Sequence, residues 1–210
     1  MKKIHLPVIL LSSAVLFLTV ACHISGTSYS ADDSKGYAEA IKLLQRNIDT
    51  TMYKIYEMKF ETSQPQGNKL ETVTVKMVSD GNKAYSQKIM LTGAQVVFPT
   101  EAIPRAFDSP VYTEVKGIDL STFNAKQIEE QINKAKKLIP KENKFQAVYD
   151  YCITETVPSA TELDNGFSDW GQQRTTFNLS FTQTTPDGKK GFVEVRVVVE
   201  DDGNVRFDID

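Results

Sequence analysis

The chain has 210 residues, with 24 Lys and Arg against 27 Asp and Glu, a formal net charge of −3, and only two cysteines and two histidines. A mildly acidic sequence without clustered basic residues argues against nucleic acid as a partner, because neutralising phosphates needs grouped cations. The one basic run, Lys134, Lys136 and Lys137, falls late in a predicted helix, where cations suit the helix dipole.

Met1-Lys2-Lys3 sets two positive charges ahead of an apolar run from about Leu6 to Val20, which ends at Ala21-Cys22. A basic start, a short apolar stretch of about 7–15 residues and a small residue at the cut site form the secretory signal pattern. A membrane-spanning helix needs about 20 consecutive apolar residues. This run is shorter, contains Pro7, and gives way to polar residues with no stop-transfer pattern. Export is therefore expected, with residues 1–21 as a signal peptide.

The segment Leu18-Thr19-Val20-Ala21-Cys22 resembles the lipobox of bacterial lipoprotein precursors, with Thr19 standing where Leu is usual. That resemblance covers only the first two dozen residues. It implies cleavage before Cys22, attachment of a diacylglycerol to the Cys22 thiol, and a mature envelope protein held to a membrane by its acyl chains. Each buried methylene contributes about 0.8 kcal/mol, so two or three chains anchor stably where one does not. In a Gram-negative cell the family implies the outer membrane, since the Asp that commonly marks inner-membrane retention is absent at residue 23. Ordinary signal peptidase has a competing site at Ser28-Tyr29-Ser30, well beyond the apolar run. His23 to Lys35, rich in Ser, Gly and Thr, reads as a flexible stretch outside the fold, with residues 22–33 as the tether.

Removing 21 residues leaves about 190, enough for one ordinary domain or two small ones. The remainder carries 22 basic against 27 acidic residues, a net charge of −5. With Cys22 acylated, only Cys152 is left, so no intrachain disulfide can form. His5 leaves with the signal and His23 lies on the tether, so the folded part has no histidine. That excludes Ser-His-Asp and Cys-His mechanisms and every histidine-ligated metal site.

The periodicity predicts an α+β fold of two similar units, each a helix followed by an antiparallel β-meander, over residues 34–98 and 121–210. The first helix starts near Ser34, with Tyr37, Ala40, Ile41, Leu44 and Ile48 at three-to-four spacing. The period then changes to two. Tyr56, Met58 and Phe60 line one strand; Val73, Val75 and Met77 a second; Tyr85, Ile89 and Leu91 a third; Val96 to Phe98 a fourth. Pro99 to Leu120 reads as a connection (residues 99–120) holding a short strand at Val111 to Val115.

The second unit opens at Ser121 or Asn124, either a good helix cap. Ile128, Ile132, Ala135 and Ile139 form its stripe, and Pro140 stops the helix. Phe145, Ala147, Tyr149, Tyr151 and Ile153 alternate along a strand, followed by runs through Phe177, Val193 and Val205. Asp-Gly turns at Gly81, Gly188 and Gly203 separate the runs, and glycine there accepts positive φ. The turns at Gly81 and Gly188, and at Gly93 and Gly203, fall at matching places, which suggests a tandem duplication. The layout is similar to that of tandem helix-and-sheet inhibitor and binding modules of bacterial exteriors.

The loop Pro158 to Arg174, much longer than the matching connection Ser63 to Glu71 of the first unit, carries Glu162, Asp164, Asn165, Asp169 and the only tryptophan, Trp170. Long loops inside compact domains are often functional, and tryptophan is enriched at binding hot spots. Trp170, Asp169 and Arg174 are the candidate binding residues; the bland reading has Trp170 plugging the end of the sheet. The acids Glu200, Asp201, Asp202, Asp208 and Asp210 lack calcium-loop spacing, and Asp201-Asp202-Gly203-Asn204 reads as a hairpin turn. Cys152 has no histidine to activate it.

No catalytic residue, cofactor or metal is assigned. The expectation is a lipid-anchored, non-catalytic binding module for a protein, peptide or glycan. A histidine-independent carboxylate hydrolase acting on glycans and a structural subunit of a surface assembly are the alternatives. Acids gathered in one pocket would favour the hydrolase, and flat sheet faces the binding module.

Overall fold

The computed structural model describes residues 28–62, 67–104, 110–158, 169–185 and 187–208. Cys22, Glu162, Asp164, Asn165 and Asp210 lie outside them. The elements are β1 (Tyr29–Ser30), α1 (Ser34–Asn47), β2 (Tyr53–Thr62), β3 (Lys69–Ser79), β4 (Ala84–Met90), β5 (Val96–Val97), β6 (Glu101–Ala102), α2 (Ala125–Leu138), β7 (Lys144–Glu155), β8 (Gln173–Thr184), β9 (Lys190–Val199) and β10 (Val205–Asp208). The class is α+β, mostly antiparallel sheet with two helices. Neither described helix is long and apolar enough to cross a membrane.

All strands join one ten-stranded sheet, ordered β10-β9-β8-β7-β2-β3-β4-β5, with β1 on β3 and β6 on β4. The central joint is β2 against β7, where Met58 opposes Ile153 and Phe60 opposes Tyr151. The two predicted helix-and-meander runs therefore share a single sheet.

Both helices pack on one face. Asp33 caps α1 by accepting the Lys35 N–H at 2.8 Å, and Asn124 caps α2 by accepting the Lys126 N–H at 3.1 Å. Tyr37, Ala40, Ile41 and Leu44 of α1 and Ile128, Ile132 and Ala135 of α2 bury against Phe60, Val75, Leu179, Phe177 and Val197 in one continuous core. Each large apolar side chain so buried contributes about 1.5–3 kcal/mol. No disulfide is needed to explain the fold.

Three sequence expectations are corrected. The tether assigned to residues 22–33 is too long: Tyr29 and Ser30 pair with Leu70 and Lys69, Ala31 is fully buried, and Asp32 forms an ion pair with Lys136. Val111 to Val115 forms a turn, with the Glu114 N–H donating to the Val111 carbonyl at 3.0 Å, and Val115 packs on Tyr56 and Val78 across the opposite sheet face. In β7 the simple alternation fails, because register shifts on both sides of Ala147-Val148 bring Val148 to the helix side in place of Ala147 and Tyr149.

The turns are alike in form. In 79–83, 185–189 and 200–204 the first residue's N–H reaches the fifth residue's carbonyl, at 3.0, 2.8 and 2.9 Å. The positive φ falls on the fourth residue, which is Asn82, Gly188 or Gly203. In the first turn Asn82, not Gly81, therefore takes the left-handed position, as three-residue hairpin loops require.

Candidate functional site

The face of the sheet opposite the helices carries a ladder of polar and charged side chains. On its middle strands the Lys59 ammonium lies 2.8 Å from Glu61 and 3.7 Å from Asp150, and Lys76 lies 3.0 Å from Glu57. The hydrogen bond to Glu61 raises the Lys59 pKa above its ordinary value, so the cation is firmly charged. Asp150 also accepts the Asn178 backbone N–H at 3.1 Å and its side-chain N–H at 3.0 Å. Towards the β10 edge, Arg206 pairs with Glu200 at 3.3 Å and with Asp208 at 3.4 Å. Burial pushes the Cys152 thiol up, with Glu57 and Asp150 adding to the shift, so it is a poor nucleophile.

The sequence-predicted trio sits at a corner of this face. Asp169 and Arg174 meet at 3.1 Å, both partly open to solvent, and Trp170 between them is half-buried. Residues 169–172 form a turn in which the Gln172 N–H donates to the Asp169 carbonyl at 3.2 Å. Gly171 has φ +74°, and a Cβ there would stand 2.5 Å from the Lys116 Cε. Its N–H donates to the Thr156 carbonyl at 2.8 Å, closing the mouth of the β7–β8 hairpin.

Beside the trio, Glu155 is 1% exposed and accepts the Lys116 and Gly117 N–H groups, each at 2.7 Å. This carboxylate pins the connection as it passes from the open face to the helix side, where the Ile118 N–H reaches the Ile55 carbonyl at 2.7 Å. Glu155 is thus a fastening point of the fold, committed to two backbone donors.

Sequence reasoning missed the hollows around residues 117–124. One, of about 280 Å³, lies between the start of α2 and the ends of β7 and β8, and is lined by Asp119, Phe123, Gln127, Gln131, Tyr151 and Thr175 among others. A second, of about 250 Å³, lies between the end of α1 and Lys116 to Ser121. The available signal was Gln127 and Gln131, four residues apart beside the apolar stripe of α2.

The described carboxyls with displaced acidity all move downward, which is the wrong direction for a general acid. Hydrogen bonds from Ser121 lower Asp119, and those from Thr51 and Thr185 lower Asp49 and Asp187. Burial would raise Asp32, but its bonds from Lys136, Ser30 and Asn68 outweigh that. Among the described residues no group of three or more His, Cys, Asp or Glu could hold a metal ion. The acids after β9 form a turn, where Asp202 accepts the Asn204 N–H at 2.8 Å.

Compared with known proteins, the chain matches no family model, no curated protein and no solved structure.

Proposed function

We propose that this protein is exported, anchored to a bacterial envelope membrane through acylated Cys22, and acts by binding a protein, peptide or glycan rather than by catalysis. The observation that carries the binding half is the sheet with both helices on one face and a broad, ion-paired polar ladder on the other. The Asp169–Arg174 pair and Trp170 stand at the corner of that ladder and would extend the contact. A partner laid across it meets a flat array of paired charges, which favours specificity of register over raw affinity.

The anchoring half gains support from β1. A cut at the competing site, just before Ala31, would remove Tyr29 and Ser30 and their pairing with β3. Cleavage before Cys22 spares them. Only residues 23–28 then separate the anchor from β1, and six residues span at most roughly 20 Å even fully extended, which keeps the folded part close to the bilayer. A tandem duplication accounts for the mirrored strand order about the β2–β7 joint, each half running helix, then four strands outward.

Two measurements test the proposal. The intact mass of the membrane-extracted protein should match a chain starting at Cys22 plus acyl groups, and Cys22→Ser should lose the increment. An unacylated chain beginning at Ala31 sinks the anchor. For the surface, a photo-crosslinking residue placed at Thr74 or Thr176 on the open face should yield discrete adducts in cells, while one at Lys42 on α1 should not. Equal adducts from the two sides overturn the assignment of the face.

A further inference from the structure

We propose that the groove between the start of α2 and the ends of β7 and β8 is a second binding site, for a neutral hydroxyl-rich ligand, namely one pyranose ring of a sugar. The inference is independent of the open-face reading, since the groove lies on the helix side of the sheet.

Gln131 is the carrying observation. Its side chain is 5% exposed and lines the groove, and its Oε1 accepts the hydroxyl proton of Tyr151. With Oε1 facing the Tyr151 hydroxyl, the Nε2 donors point the other way. Among the described residues Nε2 has no hydrogen-bond partner, yet it is not among the buried polar atoms sealed from solvent. A donor pair is thus held in a fixed direction at the groove wall with no acceptor among the described residues. Leaving such a group unpaired behind a bound ligand is costly, so the ligand must supply an acceptor oxygen.

The rest of the lining narrows the class. Thr122, Asn124, Gln127 and Gln173 add hydroxyl and amide groups that both donate and accept, which suits ligand hydroxyls. Phe123 and Ile153 supply apolar surface for the ring's C–H face. Among the described residues Asp119 is the one charged side chain in the lining, and hydrogen bonds from Ser121 lower its pKa. None of the described lining residues is a cation, so phosphates and carboxylates are disfavoured. A volume of about 280 Å³ lies just under the range of about 300–1,000 Å³ usual for small-molecule sites, enough for about one sugar ring.

The test is saturation-transfer difference NMR on the full mature chain with glucose, galactose, N-acetylglucosamine, chitotetraose and glucose 6-phosphate as probes. At least one neutral sugar should bind with Kd tighter than about 10 mM, the phosphorylated one more weakly. Gln131→Met and Gln127→Ala should each weaken binding, the first by about ten-fold or more, while Thr154→Ala on the opposite face leaves it unchanged. Gln127 is exposed on α2, so its variant folds even where Gln131→Met does not. Tighter binding of the tetramer marks a glycan chain as the source, and equal binding marks a free sugar. Absence of binding by every neutral sugar, preference for glucose 6-phosphate, or affinity unmoved by both glutamine variants overturns the proposal. The photo-crosslinking result bears only on the open face, so each reading fails separately.

Discussion

Glu155 is nearly sealed from solvent and accepts the Lys116 and Gly117 N–H groups, one on each carboxylate oxygen. Removing it strands both donors at the point where the connection rounds the sheet. Glu155→Ala should therefore cost about 3 kcal/mol in urea unfolding, with Glu155→Gln losing less because one acceptor survives. Asp32 gives a prediction in pH. Its folded pKa lies below the ordinary value of 3.8, because bonds from Lys136, Ser30 and Asn68 outweigh the effect of burial. A depressed carboxyl contributes stability above its unfolded pKa and loses it as the pH falls through the folded value. Wild type should therefore lose more stability than Asp32→Asn on acidification from about pH 5 to pH 2, read from urea midpoints across that range. Equal acid losses would mean the Lys136 pair is broken in solution. None of these roles was legible in the sequence, because each depends on a partner 36 or more residues away.

Within elements, local rules explain most of what formed and identify where neighbours intervened. The helix stripes were readable from spacing, and Asn124 was one of two caps offered by residue type for α2, whereas Asp33, the cap of α1, was read as tether. Gly36 was not readable, since a glycine in the first turns of a helix ordinarily costs about 0.5–1 kcal/mol relative to alanine. Its reason lies outside α1: a Cβ there would stand 2.7 Å from the Tyr29 Cβ and 2.9 Å from a Leu70 methyl. Gly36→Ala should thus destabilise the protein by about 1–3 kcal/mol, against its helix propensity, and a raised Tm would refute the close packing of β1. In the turns, Asn82 holds the left-handed position while its side chain accepts the Tyr112 N–H at 2.8 Å. The Asp-Gly signal marked all three turns and placed the left-handed residue at Gly188 and Gly203; in the first turn the pair sits one position earlier in the loop, so Asn82 takes that place. In β7 the register shifts reassign Val148 to the core, and period-two counting cannot see a bulge.

For the whole molecule the decisive feature is that β2 and β7 are neighbours. The core runs from α1 through Phe60 and Tyr151 to Phe177 and Val197 without a break, and Tyr37 packs edge-on to both Phe60 and Tyr151. Two units joined in this way cannot part without exposing the middle of the sheet. The protein should unfold in one transition, with coincident urea curves from far-ultraviolet circular dichroism and Trp170 fluorescence. A fragment of residues 28–104 should fail to fold alone. Separate transitions, or a stable fragment, would show two independent domains.

The sequence alone determined the α+β class, both helices, the main strands and the positions of the turns, because each follows from spacing and residue type over a dozen residues. It also placed Trp170, Asp169 and Arg174 together by their closeness in the chain. Only the tertiary structure decided that the meanders form one sheet, that Tyr29 and Ser30 belong to it, and that Gln131 lines a groove with its Oε1 bonded to Tyr151. Those outcomes rest on strand pairing and on contacts between distant residues, and the free energy of such contacts depends on partners that no local window contains.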